Sequence, residues 1–269
     1  MKAQLEFEAL RRETQSWWWV ARRKLFRQAV SFAVSGKPEA RVLDLGCTAE
    51  LESADASLLR VVNAHPSLPV LAFHQMHERQ SLVCSGTEEL AFTSNSFDAA
   101  VAGDVLQTVN DSPATLRELR RVLKDGATLC LTVPAYPALW GERDEVRGNR
   151  RRYTANELRR ELNNAGFEVT RVSYLVASGF VPAFIERIGK NIFTKSIDRY
   201  SQSARHSRRL NSAIILLLDC ELFLTRFINL PFGTRVVCWA RKPAIVAERI
   251  AVPAWERQWA GQPLPQGMS

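Results

Sequence analysis

Short apolar runs separated by polar turns alternate along this chain with segments of helical periodicity. Residues 4 to 34 carry the spacing of a long helix, and Arg41 to Leu45 then form an apolar run of the kind buried in a parallel sheet. A short helix is expected next, then Leu59 to Ala64 as a second strand ending at His65. Val70 to Gln80 reads as a weaker helix and Ser81 to Ser85 as a third short strand. Phe97 to Gly103 is a strand bounded by the turn-like Thr93 to Ser96. Ser112-Pro113 has the residue types that start a helix, with Leu116, Leu119, Val122 and Leu123 as its apolar stripe and Lys124-Asp125-Gly126 as its stop.

Ala127 to Val133 reads as a fifth strand. Thr154 to Glu157 forms a capping box ahead of Leu158 and Leu162, and Gly166 ends that helix. Phe167 to Leu175 and Val236 to Ala240 complete a set of seven strands. The fold class expected is therefore α/β: a Rossmann-like, seven-stranded doubly wound sheet with a helical insertion before the last strand. Its domains are an N-terminal lid helix region (1–36), a main domain (37–242) with the insertion at 176–234, and a C-terminal tail (243–269) read as partly unstructured.

Composition narrows the class. With 269 residues, 46% hydrophobic and 24% charged, one elaborated α/β domain with a sizeable core is the simplest reading. The formal charge of +8 and a pI near 9.6 favour contact with phosphates, of a membrane surface or of nucleic acid. No motif of a known nucleic-acid reader is present. Five cysteines, Cys47, Cys84, Cys130, Cys220 and Cys238, lie mostly in apolar runs and read as reduced core residues of a cytosolic protein. The first residues have no signal-peptide pattern, and the most apolar segment, Ala213 to Leu230, is broken by Asp219, Glu221 and Arg226. The expected location is cytoplasmic, peripheral to the inner membrane.

Trp17, Trp18 and Trp19 cannot share one helix face, so at least one is expected to point away from the core. A helix packed on the domain is the simpler account; a binding platform of indole beside arginine is the alternative. His74 and His77 are spaced as a metal pair would be, but without a third ligand nearby a surface pair is expected, and no metal site is assigned.

The turn after the first strand reads Gly46-Cys47-Thr48-Ala49-Glu50. A βα turn that cradles a nucleotide needs glycines, because its backbone must approach the ligand with no Cβ in the way. Only Gly46 remains, and Glu50 adds a carboxylate where an anionic group would sit. An ordinary polar loop after a buried strand explains the same residues.

RVLDLGC, ELAFTSNSFDAAVAGDVLQTV and ATLRELRRVLKDGATLCLTVPAY together resemble the class I S-adenosylmethionine-dependent methyltransferases. WGERDEVRGNRRRY, ELNNAGFEV and the tryptophan-rich N-terminal helix resemble one bacterial branch of that family. The likeness covers about residues 15 to 242. It implies S-adenosylmethionine as cofactor, with Asp44, Gly46, Cys47, His65, Phe92 and Asp104 at the cofactor-binding positions.

Four of the family's contact points are altered. Thr48 and Glu50 stand at glycine positions. His65, 21 residues after Asp44, stands where an acidic residue takes both ribose hydroxyls. Gly86 stands where an aspartate takes the adenine amino group, and Gln107-Thr108 replaces Glu-His after the fourth strand. These losses argue that the cofactor is not held in the usual way, since each unpaired buried polar group costs about 1–3 kcal/mol.

The acceptor side is rich by contrast, with Tyr136, Trp140, Arg150, Arg151, Arg152 and Tyr153 as the substrate-binding set, beside Asp144 and Arg147. Such a cluster suits a phosphorylated or lipid-linked ligand. A solvated basic loop whose arginines pair with nearby acids accounts for it equally well. No catalytic residue is assigned. The expected function is a methyltransferase-like binding or scaffold subunit at the cytoplasmic membrane surface, in contact with anionic lipid or a protein complex. The alternative is an active methyltransferase with an atypical cofactor site.

Overall fold

The structure is a computed structural model that describes residues 17–47, 59–76, 81–180, 208–225 and 227–244. Its elements in chain order are α1 (Trp17–Ala33), β1 (Ala40–Leu45), β2 (Leu59–His65), α2 (Leu68–Gln75), β3 (Leu82–Cys84), β4 (Phe97–Gly103), α3 (Ser112–Val122) and β5 (Leu123–Pro134). A 3-10 turn (Pro137–Leu139) and the short α4 (Glu142–Val146) follow, then α5 (Ala155–Asn164), β6 (Glu168–Leu175), α6 (Arg208–Leu224) and β7 (Arg235–Arg241). Among the described residues these strands form one seven-stranded sheet in the order β3-β2-β1-β4-β5-β7-β6. The four pairings among β3, β2, β1, β4 and β5 are parallel, and β7 runs antiparallel to both β5 and β6. The α/β, Rossmann-like fold is as the strand and helix periodicities imply.

Alternation along each strand builds two cores. Leu43 and Leu45 of β1, with Leu129, Leu131 and Val133 of β5, pack under Leu116 and Leu119 of α3 and Leu158 and Leu162 of α5. Val42, Val101, Cys130 and Val237 face the other way, under Leu25, Phe26 and Val30 of α1 and Leu218 and Leu222 of α6. Trp18 is buried in this second layer with Trp17 half-buried against it, and Trp19 is buried outside that cluster beside Arg22, so none of the three indoles stands away from the domain.

Several local expectations need correction. The N-cap of α3 is Asp111, whose carboxylate accepts from the Ala114 amide at 2.8 Å, and Ser112 is the first helical residue. The Ser112 hydroxyl is thereby free of the backbone and donates to Glu161 at 2.6 Å. The same helix ends at Val122, before Lys124-Asp125-Gly126, because Leu123 already pairs with Phe97. The next pair is Ala99 with Thr128, so the intervening residues of β5 bulge outward, held by Lys124 on Asp98 at 2.9 Å. Helix α2 begins two residues earlier than expected, at Leu68, and His74 is buried, not a surface residue; His77 lies outside the described residues. Cys47, Cys130 and Cys238 are buried, whereas Cys84 and Cys220 are exposed.

The Thr154 capping box forms as the sequence implies, with Glu157 reaching back to the Thr154 amide at 2.8 Å. The N-terminal residues before Trp17, the turn at Thr48 to Glu50, the insertion between 181 and 207, and the tail beyond 244 lie outside the described residues. Among those described, no helix is long and apolar enough to cross a membrane, and no group of three or more His, Cys, Asp or Glu side chains could hold a metal ion.

Candidate functional site

The carboxyl ends of β1, β2, β4 and β5 and the amino end of the antiparallel β7 share one edge of the sheet, where a doubly wound fold places its ligand. The β1 exit is tied to β2 by the Gly46 amide, which donates to the Ala64 carbonyl at 2.8 Å. Gly46 and Cys47 then both adopt positive φ, 95° and 55°, so the chain turns sharply at the strand tip. Cys47 is not a glycine, so it holds this conformation at some steric cost. Asp44 is fully buried beneath the turn.

At the tip of β2, His65 lies beside this turn. Its Nδ1 accepts from the Ser67 amide at 2.9 Å, and burial lowers its pKa from 6.5 to about 4. The ring is therefore neutral in the physiological range, with Nε2 as its remaining N–H donor. A carboxylate at this position offers several acceptor sites; the imidazole offers one donor.

After β3, Ser85 is buried and braces the loop: its hydroxyl donates to Gly86 and accepts from the Ala91 amide, each at 3.0 Å. Phe92 is half-buried and meets Phe97 edge-on at 5.1 Å. Its carbonyl accepts from Arg121 at 2.7 Å, and that arginine also holds the Leu90 carbonyl at 2.9 Å. Glu118 completes the clamp by accepting from the Leu90 amide at 2.8 Å.

The tip of β4 is closed. Asp104 adopts a positive φ of 55°. Its Oδ2 accepts from Trp18 Nε1 at 3.0 Å and Arg22 Nη1 at 2.8 Å, and its Oδ1 accepts from Arg235 Nη1 at 2.9 Å. Arg22 stacks over Trp19 at 4.6 Å and Arg235 over Trp18 at 4.8 Å. Burial opposes ionisation of Asp104, but Arg235 and Arg22 outweigh it and hold its pKa below the usual carboxylate value. Burial lowers the Arg235 pKa to about 10; Asp104 opposes that, while Arg147, Arg22 and Arg152 add to it. Cations thus outnumber carboxylates at this edge.

The neighbours of Asp104 are not fully satisfied. Gln107 donates to the Asp104 carbonyl at 2.7 Å, and the Asp104 amide donates to the Thr132 carbonyl at 2.9 Å. Gln107 Oε1, Thr132 Oγ1 and Arg22 Nε are all buried and without a hydrogen-bond partner among the described residues.

The arginine-rich loop divides in two. Arg152 contacts the buried Asp144 at 3.0 Å and donates to the Ala135 carbonyl at 3.0 Å. Asp144 also accepts from the Gly141 amide and Asn149, each at 2.8 Å, so it organises the whole turn. Arg151 pairs with Glu161 at 3.1 Å, bonds Ser112 and lies 4.9 Å over the ring of Tyr153. Tyr153 is buried, with its hydroxyl donating to the Leu106 carbonyl at 3.2 Å, and burial raises its pKa. These three side chains face the fold. Arg150 is exposed, and Tyr136 and Trp140 are half-buried.

Tyr136, with φ of 56°, stacks on Tyr174 at 5.1 Å and 6°. Burial and the Tyr174 contact push its pKa up. Phe180 continues the stack at 5.4 Å from Tyr136, and Phe232 follows at 5.6 Å from Phe180. An aromatic path therefore leads from the β5 tip to the turn between α6 and β7. Sequence reasoning missed Trp18, Arg22 and Arg235 as site residues. The indole–arginine run of α1 was a visible signal, but nothing in it named Asp104.

The methyltransferase domain family matches residues 18–172, more than half of the chain. The chain belongs to the class I S-adenosylmethionine-dependent methyltransferases. A demethylmenaquinone methyltransferase from Corynebacterium kroppenstedtii is 32% identical over 129 residues, covering 44% of this chain and 55% of that protein. The chain thus matches about half the length of that relative. Among solved structures, a putative sarcosine dimethylglycine methyltransferase from Galdieria sulphuraria is 14% identical, with a TM-score of 0.54 over 82% of this chain and 85% of its own. Phosphoethanolamine N-methyltransferase 2 from Haemonchus contortus, in complex with S-adenosyl-L-methionine, is 19% identical, with a TM-score of 0.51 over 84% of this chain and 56% of its own. The two solved structures share the fold.

At the tip of β2 His65 presents one donor, and after β3 Gly86 has no side chain. The Asp104 carboxylate already accepts from three side-chain donors.

Proposed function

We propose that this chain is a methyltransferase-fold binding subunit that does not turn over S-adenosylmethionine and that works at the cytoplasmic face of a membrane. The observation that carries the reading is the neutral His65 ring at the tip of β2, held by the Ser67 amide in the place of a diol-binding carboxylate. The ligand class that suits the site is anionic, phosphorylated or lipid-linked. Arg22, Arg147, Arg152 and Arg235 surround the carboxylates of Asp104 and Asp144, and this surplus of positive charge lies beside the aromatic stack begun by Tyr136. Isothermal titration of the full chain with S-adenosylmethionine tests the reading: no heat of binding at micromolar ligand is expected, and micromolar affinity would overturn it.

A second reading is favoured by the relative that is 32% identical over 129 residues. In it the chain is an active methyltransferase toward a small molecule, with Asp44, Gly46 and the backbone after Phe92 still contacting the cofactor. Methyl transfer depends mainly on holding two reactants in line, so an assigned general base is not required. That reading expects labelled methyl incorporation into a cell extract, abolished by Asp44→Ala.

A further inference from the structure

Helix α6 is apolar on two opposite faces. Leu218, Glu221, Leu222 and Thr225, spaced i, i+3, i+4 and i+7, are buried. Glu221 among them is satisfied, accepting from the Ala177 and Ser178 amides at 3.0 and 2.9 Å. The other face carries Leu216, Phe223 and Leu224, with Phe227 in the following turn, again at helical spacing. Phe227 is 72% exposed, Leu216 66% and Phe223 57%. Leu217 and Ile228 flank this stripe and are about half exposed. Burying one face meets the packing needs of a helix on a sheet; a second apolar face needs another nonaqueous neighbour.

The charge of the adjoining sequence decides what that neighbour is. Residues 181–209, which lead into α6, contain seven arginines and lysines against two acids, most of the +8 surplus of the whole chain. A polybasic stretch joined to an apolar helical face suits anionic lipid, and it disfavours a second copy of the same chain, whose like charges would be brought together. Among the described residues no helix is long and apolar enough to cross a membrane.

We propose that the outer face of α6 and the turn after it, through Leu216, Leu217, Phe223, Leu224, Phe227 and Ile228, docks on an anionic lipid bilayer. The proposal rests on the membrane-surface reading above and names the surface responsible. The aromatic path from Tyr136 through Phe180 to Phe232 ends in the segment that follows this face, so docking would bring the candidate site toward the headgroups.

Flotation of the full chain with vesicles tests it. Wild-type protein should float with vesicles of equal parts phosphatidylglycerol and phosphatidylcholine, and much less with phosphatidylcholine alone. Leu217→Glu with Phe227→Glu should weaken partitioning about a hundredfold, since two apolar side chains no longer enter the interface. Replacing Arg205, Arg208 and Arg209 by glutamine should weaken it at least about tenfold on the anionic vesicles alone. Thermal melts establish that the variants are folded, and Leu217→Ser with Phe227→Ser serves if the glutamates prevent folding. Flotation of the apolar-face variants at wild-type level would overturn the α6 assignment and leave the membrane reading standing. No flotation of the wild type with either vesicle would remove both. A concentration-dependent dimer by light scattering, lost in the same variants, would assign the face to self-association and overturn the proposal.

Discussion

Arg235 Nη1 lies 2.9 Å from Asp104 Oδ1, joining residues 131 positions apart across the tips of β7 and β4. Because Arg22 and Trp18 of α1 hold the other carboxylate oxygen, this one aspartate fastens the N-terminal helix to the sheet edge. Asp104→Asn would leave two buried guanidinium groups without their counter-charge. A loss of about 3–5 kcal/mol is expected in guanidinium-chloride unfolding. Asp98→Asn, which breaks a pair whose Lys124 partner is 45% exposed, should cost no more than about 1 kcal/mol. Equal losses from the two would show that the Asp104 cluster is not the stronger tie.

The same carboxylate sets an acid limit. Its folded pKa is depressed, so its contribution is complete above the unfolded value and is lost as pH falls through the folded one. His65 acts over a higher window. Its folded pKa is about 4 against 6.5 unfolded, so below 6.5 the unfolded chain binds the proton more readily and stability declines until about pH 4. Moving from pH 7 to pH 5 should therefore cost about 1–2 kcal/mol through this ring. Urea unfolding of wild type and His65→Gln at both values checks it: the difference between the two proteins should shrink at pH 5, and a constant difference would mean that the ring does not titrate in this window.

Much of the fold was legible because it rests on local pattern. β4 has the limits its apolar run implies, and Thr154 with Glu157 makes the cap that its spacing announces. The position of His65 at the end of β2 followed from the apolar run Leu59 to Ala64. The errors arose where two local signals compete. Asp111 and Ser112 both suit an N-cap, and the stop signal at Gly126 belongs to a strand bulge, not to the helix before it. The Asp104 cluster was illegible for a different reason. Its donors come from 82, 86 and 131 positions away, and no periodicity records which arginine meets which acid.

Gly233 marks a close approach that sequence gave no reason to single out. A Cβ there would stand 2.2 Å from the Leu175 carbonyl oxygen, 2.8 Å from its carbon and 3.0 Å from the Leu175 nitrogen. At Gly166 the obstacle at 2.8 Å is the flexible Arg120 side chain, and the φ of +82° is the main objection to a larger residue. Gly233→Ala is therefore expected to cost about 3 kcal/mol or more by thermal unfolding, and Gly166→Ala about 1–2 kcal/mol. The reverse order would mean that the turn after α6 yields more easily than an arginine side chain.

A gain of binding gives the sharpest test of the proposal that the site does not hold S-adenosylmethionine. Three positions suffice in principle: Thr48→Gly and Glu50→Gly return the turn to a form with fewer Cβ atoms, and His65→Asp supplies acceptors for a diol. The aspartate can reuse the Ser67 amide that now donates to the imidazole at 2.9 Å, so its charge would be met by a donor already in place. The triple variant should bind S-adenosylmethionine at least about tenfold more tightly than wild type in calorimetry, one added hydrogen bond to a charged group being worth about 1.5–3 kcal/mol. His65→Asp alone should gain less, because Thr48 and Glu50 still stand where the family has glycine. If the triple variant gains nothing, the closed Asp104 cluster at the β4 tip becomes the controlling feature, and releasing it by Trp18→Ala should then be what admits the ligand.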